Sequence, residues 1–454
     1  MLKQRFKLIC GIFVLIISLF ALCACMEIDA VGVAEAEINE EGELVLTYTD
    51  GNVENLGRVV GTDGKDGADG ADGKDGTNGT DGKNGADGAD GEKGERGATG
   101  ADGKDGSLVI TTDDSAVSAA TSRALRSAVS ILCGFTGASG YSAGSGVIYE
   151  LDEYGNAFII TNYHVVYNAT YGISTDINVY LYGAEYSDYE IPASYVGGSL
   201  YYDIAVLYIE ESETLLDSFA VEAAVADSDE ITVGKTAIAV GNAKGYGISA
   251  TSGIISVDSE HIEMTGADER TEVTFRVMRI DTAINSGNSG GGLFNSEGEL
   301  IGIVNAKIID TSVENIGYAI PSNVATAVAD NIIDNCYGKA SKNVQRFTLG
   351  VTVTTTDSRA VYDSSSGKTY IEETAAIYEV ESGSTADGVL QAGDVLVSVT
   401  LNGVTKNITR QHHIIDLMLT VRMGDTLEIK VLRGDNKVET TVPITVSASS
   451  FKSY

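Results

Sequence analysis

Positive charge is scarce in this chain of 454 residues, where 30 Lys and Arg stand against 65 Asp and Glu for a formal net charge of −35. Such a field repels phosphate backbones and anionic headgroups, so neither nucleic acid nor a bare lipid surface is an expected partner. Cysteine is rare too: Cys10, Cys23 and Cys25 crowd the first residues, and Cys133 and Cys336 have no metal-site spacing around them. Neither a disulfide framework nor a structural metal centre is therefore expected. A Walker-type loop is missing, so no nucleotide-driven step and no cofactor are expected. Histidine occurs four times, as His164, His261, His412 and His413, which leaves few candidates for any chemistry that needs an imidazole. His261 lies in a charged stretch and reads as a surface residue. The pair His412-His413 reads as surface or groove lining rather than a metal site.

With 43% hydrophobic and 21% charged residues the chain can bury more than one core, and two or three domains are expected. Lys3, Arg5 and Lys7 precede an apolar run over 8–21, the charged and apolar regions of an export signal. Leu22-Cys23-Ala24-Cys25 resembles a bacterial lipobox. Cleavage there would make residues 1–24 a lipoprotein signal peptide and Cys25 the lipidated N-terminus, anchoring the chain to the membrane at the bacterial cell surface. The alternative is an uncleaved membrane anchor, because the apolar stretch reaches Met26. Either arrangement puts the remainder outside the cytoplasm. Residues 25–60 alternate around Glu41-Gly42 and Asp50-Gly51, as a small β meander would.

From Gly61 to Gly106 glycine falls at every third position without a break, sixteen times. This is the pattern of a collagen triple helix, in which only glycine fits the crowded axis. A flexible linker is the alternative, but it would not need the period. No proline stiffens the repeat, and Lys-Asp, Ala-Asp and Glu-Lys-Gly-Glu-Arg fill the other positions, so ion pairs between chains would have to help. At about 3 Å per residue the repeat would make a rod of roughly 130–140 Å. Three chains are required, which predicts a homotrimer. Residues 107–127 read as a helical linker, with Ala116, Ala119, Ala120, Leu125 and Val129 on the apolar side of Ser115–Ser130.

Between Ile131 and Ile320 short β-rich runs alternate with Gly, Asn, Asp and Ser turns, which favours an all-β barrel. Within it, Asn285-Ser286-Gly287-Asn288-Ser289-Gly290-Gly291 forms a small-residue loop between apolar runs at 275–280 and 300–304. A serine hydroxyl attacks a carbonyl only with an adjacent base, and the oxyanion it creates needs backbone N–H donors brought close by residues without bulk. Ser289 suits the nucleophile, with the N–H groups of Gly287 and Ser289 as the oxyanion hole. His164 ends an apolar run at Thr161-Asn162-Tyr163-His164, and Asp203 heads Asp203-Ile204-Ala205-Val206-Leu207. The order His, Asp, Ser is one of the known orders of a catalytic triad. A nucleophile elbow is excluded, since its acid and histidine should follow the serine and its turn should open a helix, whereas 293–304 reads as a hairpin.

These residues, with Ser142-Ala143-Gly144-Ser145-Gly146-Val147-Ile148, Ile238-Ala239-Val240-Gly241-Asn242, Gly253-Ile254-Ile255-Ser256, Asp281-Thr282-Ala283-Ile284-Asn285 and Ile316-Gly317-Tyr318-Ala319-Ile320-Pro321, resemble the HtrA (Deg) family of trypsin-fold serine proteases over about 128–448. The resemblance implies a mainly β chain: a chymotrypsin-like double β-barrel over 128–335, a linker over 336–346 and an α+β PDZ domain over 347–448. The family usually has proline where Ala243, Ser286 and Gly292 stand. Ala283 and Ile284 would line the primary specificity pocket and select small or medium aliphatic side chains. Leu349-Gly350-Val351 would be the carboxylate-binding loop for C-terminal peptides, although Thr348 takes the place of the usual aromatic. Trimeric, energy-independent cleavage of unfolded or damaged exported proteins is implied. The rival reading is an adhesive collagen-like surface protein with a vestigial head, against which a complete triad argues.

Overall fold

The structure, a computed structural model, describes residues 33–39, 43–49, 51–58, 114–184, 189–306 and 316–453. The export signal, Cys25 and the glycine repeat lie outside those residues. The chain divides into two units, 1–103 and 104–454. In the first, β1 (Val33–Ile38), β2 (Glu43–Tyr48) and β3 (Val53–Arg58) form an antiparallel meander. Gly51, between β2 and β3, takes φ +84, a left-handed turn conformation that glycine adopts without strain.

The second unit opens with α1 (Asp114–Ser127), whose Ala120 and Ala124 are buried against the head. The small side chains let the helix lie close, and Ala128 already begins β4, so the helix ends before the expected Ser130. Barrel 1 comprises β4 (Ala128–Gly134), β5 (Tyr141–Leu151), β6 (Ala157–Thr161), β9 (Asp176–Leu181), β10 (Ile191–Ser199) and β11 (Ile204–Ile209). The short helix α2 (Tyr163–Val166) and the two-residue strands β7 (Tyr167–Asn168) and β8 (Gly172–Ile173) interrupt it. After α3 (Glu213–Leu216) comes barrel 2: β12 (Thr236–Gly241), β13 (Ser249–Thr265), β14 (Glu272–Ile280), β15 (Gly292–Phe294), β16 (Leu300–Val304) and β17 (Gly317–Pro321). Both sheets close on themselves, in the orders β10-β11-β6-β5-β4-β9 and β12-β13-β14-β17-β16-β15. Closure pairs every strand and leaves no open edge.

Each barrel has its own aliphatic core, with Ile131, Ile159 and Leu207 in the first and Ile255, Met278 and Leu293 in the second. A further cluster joins Val147, Ile160 and Val206 to Ile238, Val240 and Ile303 across the seam, and α4 (Ser322–Cys336) seals it with Val324, Val328 and Ile332. These three lie at helical spacing on one face, and each buried side chain contributes about 1.5–3 kcal/mol. An aspartate at Val328 would strand a charge there. Cys336, expected to lie beyond the barrel domain, is instead fully buried in this cluster.

The C-terminal module holds the sheet β19 (Val351–Asp363), β20 (Lys368–Val380), β21 (Val395–Leu401), β23 (Leu427–Arg433) and β24 (Val438–Ile444), with β22 (Val404–Asn407) beside β21. Helix α5 (Gln411–Thr420) packs Ile414 and Met418 into its core. The expected limits of 347–448 are too narrow. β18 (Gln345–Phe347) pairs with β25 (Phe451–Ser453), so part of the expected linker belongs to the module at one end and the last strand at the other.

The module is docked on barrel 2. Leu419 of α5 enters the joint core, and beside it lies a buried ionic cluster. Arg276 of β14 places Nη2 3.2 Å from Asp229 Oδ1 and 2.8 Å from Asp416 Oδ2, while Lys406 Nζ sits 2.5 Å from Asp229 Oδ2. His412 and His413 belong here, 5% and 8% exposed; of the two settings expected, open surface or groove lining, they take the second. Docking turns the first turn of α5 toward the barrel, and a sequence pattern carries no sign of that contact.

Candidate active site

The turn α2 follows β6 directly. Val165 and Val166 are buried in barrel 1 and anchor it, and Gly144 makes room, since a Cβ there would come 2.5 Å from Val165 Cγ1. His164 is left partly exposed at the seam. Asp203 stands just before β11 with φ +48, in a left-handed conformation that aspartate tolerates better than most residues. Its carbonyl accepts from the Tyr163 N–H at 3.1 Å and the Asn162 carboxamide at 2.9 Å, which holds the turn in place. Ser289 lies in the loop between β14 and β15, flanked by Gly287 at φ +96 and Gly290 at φ +83. A side chain on Gly287 would collide with the Asn242 carbonyl, and one on Gly290 with the Ser145 carbonyl.

The structure brings the three residues together. His164 Nδ1 is 2.6 Å from Asp203 Oδ2, and His164 Nε2 is 2.8 Å from Ser289 Oγ. Because Nδ1 faces a carboxylate, the ring proton belongs there, and Nε2 is left to accept from the serine hydroxyl. Asp203 Oδ1 accepts the backbone N–H of His164 at 2.9 Å, and Oδ2 accepts the Asn305 carboxamide at 2.8 Å. A carboxylate only 5% exposed is thereby satisfied on both oxygens. In the serine loop the Ser286 carbonyl accepts the Lys244 N–H at 2.7 Å. The N–H groups of Gly287 and Ser289 donate to no acceptor among the described residues.

Asn305 and Ser145 were not singled out from the sequence. Asn305 directly follows the apolar strand β16, and a polar residue ending a buried strand is a signal that could have found it. Ala283 is exposed and its carbonyl accepts the Thr251 hydroxyl at 3.0 Å, whereas Ile284 is half-buried against Gly317. Residues 307–315, which follow β16, are not described.

In the C-terminal module Gly350 takes φ +75, and a side chain there would collide with Ser384. The Leu349 carbonyl accepts the Ala386 N–H and the Gly350 carbonyl accepts the Glu381 N–H, each at 2.9 Å. Among the described residues the N–H groups of Leu349 and Gly350 have no acceptor. A cavity of about 210 Å³ adjoins them, lined by Leu349, Gly350, Val351, Ile414 and Met418. Thr348 gives both its N–H and its hydroxyl to the Ser450 carbonyl, and Phe347 packs edge-on against Phe451 at 5.7 Å. The threonine thus joins the loop to the last strand.

Burial pushes the Cys133 thiol up to about 12 and raises that of Cys336, so both are protonated, unreactive core residues. Asp229, His412 and His413 present donor atoms within 4.8 Å of one another. They fit a divalent cation poorly, because the Asp229 oxygens are already occupied by Arg276 and Lys406.

Residues 144–303 match the trypsin-like peptidase domain family, and residues 58–108 match the collagen triple helix repeat family. Over 321 residues the chain is 35% identical to the serine protease Do-like HtrA of Lactococcus lactis subsp. lactis (strain IL1403), covering 66% of this chain and 73% of that protein. It is 32% identical over 312 residues to the periplasmic pH-dependent serine endoprotease DegQ of Escherichia coli (strain K12), covering 68% of this chain and 60% of that protein. Among solved structures, the HtrA-type protease AlgW with tripeptide is 28% identical and is aligned over 74% of this chain and 97% of that one, with a TM-score of 0.48.

Proposed function

Because the chain belongs to the HtrA family of serine proteases, we propose that it cleaves peptide bonds with Ser289 as nucleophile, His164 as general base and acid, and Asp203 as the group that orients the imidazole. The observation that carries this reading is the continuous hydrogen-bonded run from Asp203 Oδ2 through His164 to Ser289 Oγ, at 2.6 and 2.8 Å. Ser289 Oγ attacks the scissile carbonyl while His164 Nε2 takes its proton. Asp203 steadies the resulting imidazolium, and the same proton then passes to the leaving amine. The N–H groups of Gly287 and Ser289 receive the negative charge on the carbonyl oxygen, a role in which one donor is typically worth ~3–4 kcal/mol of barrier lowering. Water repeats the sequence on the acyl-enzyme. Degradation of unfolded casein, compared with the Ser289→Ala protein, tests the assignment; undiminished cleavage by that variant would sink it.

The substrates in this reading are unfolded or damaged exported proteins. The C-terminal module is a PDZ-type peptide receptor: the Leu349 and Gly350 N–H groups hold a terminal carboxylate, and the peptide adds as a strand beside β19. Support comes from those unpaired donors, the cavity next to them, and the end position of β19 in its sheet. Cys25 is the lipid attachment point and the repeat is a three-chain stalk that raises trimeric heads off the membrane. Its support is the lipobox-like sequence and the unbroken glycine period.

A further inference from the structure

We infer that Ser145 is a positioning residue for the oxyanion hole, its hydroxyl fixing the Gly287–Asn288 peptide that joins the two residues whose N–H groups would bind the oxyanion. The inference rests on the reading of Ser289 as the nucleophile. Ser145 lies on β5 of barrel 1 and is fully buried. Its hydroxyl makes two bonds in different directions: it accepts the Asn242 N–H at 2.7 Å and donates to the Gly287 carbonyl at 2.7 Å. The backbone of the same residue reaches the nucleophile, since the Ser145 N–H donates to the Ser289 carbonyl at 2.9 Å. One residue thus holds both residues whose N–H groups would bind the oxyanion.

The geometry of the Gly287 N–H follows from its neighbours. In a trans peptide the N–H points opposite to the carbonyl of the preceding residue. The Ser286 carbonyl is committed to the Lys244 N–H, so the Gly287 N–H is turned away from the 242–245 turn. On the far side of the residue, the next carbonyl is fixed by Ser145. The turn is itself anchored, because the Asn242 side chain donates to Ser130 on β4 and accepts the Gly247 N–H at 2.8 Å. Gly287, at φ +96, has no side chain to restrain it, and glycines also stand at 290, 291 and 292. The hydroxyl therefore supplies from barrel 1 the stiffness that the loop lacks. Space around it is tight: a Cβ on Gly241 would come 2.8 Å from Ser145 Oγ.

Ser145→Ala leaves a buried carbonyl and a buried N–H without partners, and rotation of the Gly287–Asn288 peptide, which loosens the backbone between the two donor N–H groups, is the easiest relief. In the full chain, kcat should fall about 10–100-fold, less than the ~10²–10³ typical of deleting an oxyanion donor outright, with KM within about twofold. A peptide boronate ending in boronovaline forms a tetrahedral adduct with the serine. Its affinity should weaken by the same factor as kcat, while a product peptide with a free carboxylate binds as before. Ser145→Cys keeps a weak donor and should fall between; it also serves if the alanine protein does not fold. Wild-type kcat and boronate affinity in either variant, or a loss confined to KM, overturns the role of Ser145. Ser289→Ala is measured alongside: cleavage surviving there overturns the nucleophile reading and this one with it. Cleavage lost in Ser289→Ala but intact in the Ser145 variants overturns only this one.

Discussion

Replacing Arg276 by methionine should destabilise the docked C-terminal module at neutral pH and much less so in mild acid. Arg276 is 4% exposed and lies between Asp229 and Asp416. Burial pushes the Asp416 carboxyl up to about 6 even with the guanidinium beside it. A folded-state pKa above the unfolded value of about 3.9 means that Asp416 favours the fold fully only below that value and opposes it increasingly as pH rises toward 6. At about pH 7.5 the wild-type penalty is roughly 1.4 kcal/mol times two units, or ~3 kcal/mol. Without Arg276 the carboxyl must bind a proton to stay buried, which costs about 1.4 kcal/mol for each unit between 3.9 and 7.5, or ~5 kcal/mol. The difference, ~2 kcal/mol, vanishes near pH 5, where Asp416 carries its proton in both proteins. His412 shifts the balance the same way. Burial holds it down to about 3, with Arg276 contributing, so losing that cation eases its protonation in acid. Loss of one Asp229 partner adds a cost that pH does not change, for a total of about 3–5 kcal/mol at neutral pH. Urea unfolding of the full chain can be followed by tyrosine fluorescence, because the sequence has 22 Tyr, no Trp, and no tyrosine in the repeat. A cost equal at both pH values, or larger at pH 5, would refute the argument.

Asn305→Ala removes a buried hydrogen bond to the Asp203 carboxylate, so kcat/KM should drop roughly 10–100-fold, a loss measurable with a fluorogenic peptide. Mass-spectrometric mapping of cuts in an unfolded substrate should find cleavage mainly after Val, Ala or Ile, given Ala283 and Ile284; a majority after Lys or Arg would exclude that pocket. A peptide spanning 61–106 should sediment as three chains and melt cooperatively by circular dichroism, at a lower temperature in high salt. Peptides with a free C-terminus should raise activity about 5–150-fold at most, the usual range of allosteric coupling, and amidated ones should not; no response across a diverse library leaves the C-terminal module as a tether.

Periodicity made the local parts legible. The hairpin of β15 and β16 runs from Gly292 to Val304, one residue longer at its start than the 293–304 read from the sequence. Residue type and order were enough to select the three side chains that meet at the seam, because few histidines compete. What stayed hidden depends on contacts distant in sequence. Ser145 and Gly287 are 142 residues apart, Asn305 and Asp203 102, and Arg276 meets Asp416 only because one module docks on another. A buried serine or arginine looks in sequence like any other polar residue on a strand. The pairing of β18 with β25 escaped notice for the same reason, and with it both limits of the C-terminal module.

Helix α1 acts as a clasp between the two barrels, touching β4 and β5 of the first and β12 and β15 of the second. Arg126 donates to the Phe219 carbonyl, on a segment that is itself hydrogen-bonded to β5 through Ala223, while Arg123, one turn earlier, donates to the Glu297 carbonyl in the β15–β16 hairpin. His164 and Asp203 ride on barrel 1 and Ser289 on barrel 2, so the 2.8 Å contact between imidazole and hydroxyl is a joint between separate bodies. A displacement of about 1 Å at such a joint can cost ~10²-fold in rate. The tolerance of the machine is therefore set outside the three reacting side chains, by whatever stops the barrels from hinging. Arg123→Ala with Arg126→Ala should leave each barrel folded and Ser289 in its loop, yet widen the spread of His164–Ser289 separations and slow acylation.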